Sequence, residues 1–89
     1  MKAIVTVVGK DQVGIIAAVC VKLAEYNVNV LDISQTVMQG YFTMMMVVDV
    51  SACTMPLAEL VGIMEEMGKA RNLSIRLQRE DIFEAMHRI

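Results

Sequence analysis

Residues 41–50, YFTMMMVVDV, are apolar on both sides of an extended chain, and this stretch limits what the rest can fold into. Side chains of a strand alternate between faces, so Phe42, Met44, Met46 and Val48 share one side, and Tyr41, Met45 and Val47 the other. Such a strand belongs in the middle of a sheet. One layer of helices covers only one sheet face, so the other must be covered by something else, and self-association is expected.

The remaining segments supply the neighbours. Residues 2–8 are rich in β-branched side chains and stop at Gly9, which reads as a strand. Residues 12–26 have the length of a helix, with Asp11 as its expected cap and Lys22 and Glu25 as nearly its only polar groups. A helix this apolar should be covered on most sides. Asn27 ends it. Residues 28–39 read as a half-buried strand, with Leu31, Ile33, Gln35 and Val37 on one face and Val30, Asp32, Ser34 and Thr36 on the other. Gly40 then marks a hairpin into the apolar strand.

Pro56 suits the first turn of a second helix, along which Leu57, Leu60, Val61, Met64 and Met67 recur at helical spacing. Residues 73–80 alternate as a last strand, with Leu73, Ile75 and Leu77 on its apolar side. Residues 81–89 put Ile82, Phe83, Met86 and Ile89 at helical spacing behind a possible Asp81 cap, a short closing helix. With right-handed crossovers this order predicts an α+β, ferredoxin-like βαββαβ sandwich: one antiparallel four-stranded sheet, helices on one face, and a short C-terminal helix. Residues 1–80 are expected to form the domain, and 81–89 a helical tail of it.

A chain of 89 residues allows one domain, and 56% hydrophobic residues are more than a small monomer can hide. Its eight basic and ten acidic residues are scattered, which gives no footprint for nucleic acid. Cys20 and Cys53 lack CxxC spacing and sit in apolar contexts, so free buried thiols in a reducing, cytoplasmic setting are expected. No apolar stretch reaches the roughly 18 residues of a membrane span, and the first residues lack the form of a signal peptide.

Catalysis finds little support. Gly9 and Gly14 have the glycine spacing of a phosphate loop, but Ile15 and Ile16 stand where its lysine and hydroxyl belong, and GxGxxG is not met either. Of the functions this fold hosts, a small phosphatase needs an arginine in the loop, and an RNA-binding domain needs more exposed aromatics than Tyr41 and Phe42. Tyr26, Tyr41, Ser34 and Thr36 have no accompanying base. His87, the only histidine, reads as a surface residue and not a metal ligand, and the nine methionines as gap-filling core. No metal or cofactor is expected. What remains is the loop at the start of the first helix, where Asp11 and the amides of Gln12, Val13, Gly14 and Ile15 face an anion's natural position, and Asn29 at the start of the second strand. Within one subunit the two lie at opposite ends of that helix, so they share a site only if different subunits meet. From the residues alone, Asp11 is equally a helix cap, Gly14 a packing residue and Asn29 part of a turn.

The DxxGI turn at Asp11, Gly14 and Ile15, the LAE helix end at residues 23–25 and the NVxDIxQ strand at residues 29–35 together resemble an ACT domain. The likeness extends through residues 41–50 and 82–89 to short stand-alone ACT proteins akin to the glycine-cleavage regulatory type. The resemblance implies a non-enzymatic regulatory module that binds an amino acid or related metabolite between side-by-side subunits, with a homodimer favoured. It assigns ligand contacts to the Asp11 and Gly14 loop, and to Asn29 and Val30 of the neighbouring subunit. Gly9 stands where serine-sensing members carry a histidine, and Val13 where a proline is common. A partner enzyme is a further expectation of such a module. The alternative is an obligate subunit that docks on an enzyme through its apolar sheet face, with the loop empty.

Overall fold

The computed structural model describes residues 1–82. The elements run β1 (Lys2–Lys10), α1 (Ile15–Glu25), β2 (Asn29–Met38), β3 (Tyr41–Asp49), α2 (Leu57–Ala70) and β4 (Leu73–Arg79). Residues 80–82 are helical, while the rest of the expected closing helix, with His87, lies outside the described residues. All pairings are antiparallel in one four-stranded sheet of order β2-β3-β1-β4. This is the ferredoxin-like βαββαβ sandwich. The doubly apolar strand β3 sits inside the sheet, as its side chains require.

The core forms between the sheet and the helices. Val5 and Val7 of β1, Met44 and Met46 of β3, and Ile75 and Leu77 of β4 are buried from one face. Val19 and Leu23 of α1 and Leu60 and Met64 of α2 close over them in a single cluster. Each such side chain contributes about 1.5–3 kcal/mol on burial. The methionines at 44, 46 and 64 fill this core, as the spacing predicts.

Local chemistry sets the ends of the elements. Asn27 adopts a left-handed φ of 60° after α1, where its amide donates to Ala24 O (3.0 Å) and that of Val28 to Leu23 O (3.1 Å). Orphan carbonyls are thereby satisfied. Gln39 (φ 50°) and Gly40 (φ 81°) turn β2 into β3, the two left-handed residues of a type I′ hairpin. Gly68 lets α2 settle on β4, since a Cβ there would stand 2.7 Å from the Leu73 carbonyl oxygen.

Several expectations are corrected. Helix α1 starts at Ile15, three residues later than the pattern suggests, and it is not covered all round: Val21 is 60% exposed. Strand β1 runs on through Gly9 to Lys10, and Pro56 occupies the N-cap of α2 instead of its first turn. Strand β2 is an edge strand beyond the helical layer, exposed at every position except half-buried Val30. A bulge at Leu31 also shifts its phase. Val30 pairs with Val48 but Asp32 with Val47, so Val30 shares the helix-side face with Ile33, Gln35 and Val37. Cys20 and Cys53 are free thiols, but half-buried at the margin of the core.

Candidate functional site

The loop between β1 and α1 is held at two points by its own sequence. The Asp11 amide donates to the Gly40 carbonyl (2.8 Å), which ties the loop to the hairpin tip, and Gln12 Nε2 donates to the Arg71 carbonyl (3.0 Å) after α2. Gly14 occupies the N-cap of α1 at φ 83° with no side-chain cap, and the first helical bond runs from the Ala18 amide to Gly14 O (2.9 Å). The amides of Ile15, Ile16 and Ala17 therefore precede the ladder. They form the positive end of the helix.

This arrangement overturns the capping role expected of Asp11. Its side chain is exposed three residues ahead of the cap position and makes no hydrogen bond among the described residues. Gly14 is likewise not needed for packing, because a Cβ there would meet nothing within 4 Å. Its left-handed φ is the reason for glycine.

Asp11, Gln12, Gly14 and Ile15 line one concavity of about 200 Å³, together with Ile16, Ala17 and Phe42. Val13 turns away from it, 99% exposed, and lines a neighbouring surface depression beside Met67 and Arg71. Asn29 and Val30 lie at the far end of β2, opposite Asp49 and Val48, and do not reach the loop of their own subunit. Phe42 is the residue that the loop motif does not announce. Its position becomes legible once β1 and β3 are paired, because it stands opposite Gly9 and forms the apolar floor under the start of α1. The chemistry on offer is a small recess of mixed polarity, lined by the uncapped start of α1, by exposed Asp11 and by the aromatic Phe42. Among the described residues no cluster of three or more histidine, cysteine or acidic side chains forms a metal site, and no helix is long and apolar enough to cross a membrane.

Residues 2–78 match the ACT domain family. The chain belongs to that family. ACT domains are regulatory modules that bind small molecules. This ACT domain is 56% identical over 88 residues to a UPF0237 protein of Bifidobacterium longum, spanning 99% of this chain and 98% of the relative. It superposes on an ACT domain protein from Streptococcus pneumoniae with a TM-score of 0.82 at 49% identity, covering 94% of each chain. A putative glycine cleavage system transcriptional repressor shares the fold (TM-score 0.74) at 20% identity, over 88% of this ACT domain and 44% of that chain.

Proposed function

We propose that this ACT domain is a non-enzymatic, homo-oligomeric sensor that binds an amino acid-like metabolite at the start of α1, in a site completed by a second subunit. The observation that carries the reading is the recess itself, which the uncapped start of α1 and Asp11, whose carboxylate has no partner among the described residues, line together. A ligand carboxylate suits the amides. Its ammonium group, one carbon away, suits Asp11. About 200 Å³ falls below the roughly 300 Å³ at which pockets enclose small ligands, so a further wall is needed.

Strand β2 supports a source for that wall. It is a ten-residue edge strand whose backbone is unpaired on one side, and Ile33 and Val37 stand exposed on its helix-side face. Antiparallel pairing of β2 with its copy joins the two sheets and sets the Asn29 end of one subunit beside the Met38 end of the other. Because Asp11 is tied to Gly40 at that Met38 end, the partner's Asn29 and Val30 come to the loop. Val30 brings an apolar wall, and Asn29 a donor and an acceptor. A reducing, cytoplasmic location fits the two free thiols.

Calorimetric titration with the standard amino acids and their close analogues tests the reading. At least one binds the wild type, and both Asp11→Ala and Asn29→Ala weaken that binding, although the two positions are remote within a subunit. Absence of binding by any of these compounds sinks the proposal.

A further inference from the structure

The sheet face turned away from the helices is sheltered unevenly. Strand β1 presents Lys2, Ile4, Thr6, Val8 and Lys10 there, since Ala3, Val5 and Val7 belong to the core. Ile4 and Val8 are both apolar, and each stands between β3 and β4. Ile4 lies between Val47 and Gln78, and Val8 between Thr43 and Ser74. Yet Ile4 is only 7% exposed and Val8 43%. Their neighbours divide in the same way: Val47 and Gln78 are half-buried, whereas Thr43, Ser74, Met45 and Arg76 are exposed. Both helices pack on the opposite face. The shelter of Ile4 has another source, and it acts at one end of the face.

We infer that residues 83–89 of the same chain are that source, lying from β4 across β1 toward β3 at the Ile4 end of the face. Strand β4 ends at Arg79, opposite Ala3, so the chain leaves the sheet one residue past Gln78 and beside Ile4. Beyond Ile82, the seven residues FEAMHRI reach about 10 Å even when helical, close to the two interstrand spacings that separate β4 from β3. Phe83 and Met86 are three apart, which sets them on one side of a helical turn and suits them to Ile4 and Val47. The charges of this face stand around the patch: Lys2 beside Ile4, Asp49 opposite Lys2, Asp32 opposite Val47, Arg76 opposite Thr6, and Lys10 at the far end. An apolar stripe with Glu84 and Arg88 at its margins fits inside that ring. Ile4 is sheltered within a single chain, so this end needs no second copy to cover it. The end that carries Val8, Met45 and Tyr41 stays open. The inference does not depend on the site at α1.

Methyl-resolved nuclear Overhauser spectroscopy of the full chain tests it. Cross-peaks are expected from the Ile4 and Val47 methyl groups to the Phe83 ring or the Met86 methyl group, and none of these from Val8. In a mixture of labelled and unlabelled protein, selection for contacts between subunits removes them, because the tail belongs to the same chain. Thiol labelling gives a second readout in a background of Cys20→Ser and Cys53→Ser. There Ile4→Cys is expected to react about tenfold more slowly than Val8→Cys, and Phe83→Asp abolishes most of that difference with unchanged circular dichroism. Absent cross-peaks, cross-peaks that survive as contacts between subunits, or an Ile4→Cys rate that ignores Phe83→Asp overturn the inference. If Phe83→Asp does not fold, Phe83→Ala gives the same reading through a smaller rise in rate.

Discussion

The side-chain amide of Gln12 donates to the carbonyl of Arg71 across 3.0 Å, and so fastens the loop ahead of α1 to the residue that ends α2. Gln12 is thereby a structural member of the recess that it lines. Gln12→Ala leaves that carbonyl to solvent and is expected to lower stability by about 0.5–1 kcal/mol, the usual worth of such a bond. Urea denaturation measures it, and the same variant weakens ligand binding by loosening the loop.

Asp11 separates the ligand's contribution from the fold's. Since its carboxylate caps nothing, Asp11→Ala should change the unfolding free energy by less than about 0.5 kcal/mol while costing about 1–3 kcal/mol of ligand affinity. A variant that lost stability instead would return Asp11 to a capping role.

Gly14→Ala tests backbone conformation alone, because the added methyl group meets open space but must hold φ at 83°. The expected loss is about 1–2 kcal/mol. Gly14→Asn, which tolerates the left-handed region better, should lose less in the same denaturation series.

Two glycines of α2 should respond with opposite signs. Gly62 faces open space within the helix, so Gly62→Ala is expected to raise stability by about 0.5–1 kcal/mol. At Gly68 the new Cβ would meet the backbone of Leu73 at 2.7 Å, which no side-chain rotation relieves. Gly68→Ala should lower the thermal midpoint and separate α2 from β4.

Acid should act through Asp49. Hydrogen bonds from the Ser51 hydroxyl, and then from the Ser51 amide (2.9 Å), hold its carboxyl below the ordinary value of 3.8. A carboxyl whose folded pKa is depressed stabilises the fold fully above its unfolded value, and loses that contribution as pH falls through the folded one. Asp49→Asn is therefore expected to be less stable than the wild type at pH 7, with a deficit that begins to close as pH falls below the ordinary carboxyl value of about 3.9. Denaturant midpoints across that range follow it.

The fold was legible because periodicity speaks for each element separately. The two-sided apolarity of residues 41–50 demanded an interior strand, and the spacing of Leu60 and Met64 a helix lying on it. Three things were not legible, each for a physical reason. Asp11 ahead of an apolar run has the chemistry of a cap, and only the left-handed turn at Gly14 moves the cap three residues on. The exposure of β2 depends on how far α1 reaches across the sheet, which no local pattern encodes. Phe42 enters the recess through strand pairing with Gly9, a contact remote in sequence.

The bulge at Leu31 works as a phase shift in an otherwise regular alternation. Were Leu31 drawn into the regular ladder opposite Val48, Val30 would fall opposite Asp49, on the helix-free side. With it, a single strand serves both faces: half-buried Val30 answers to the helical layer, and Asp32 and Ser34 face the other way. Loss of the bulge by a shift of pairing, with Leu31 retained, would thus reassign surfaces without altering any side chain's chemistry.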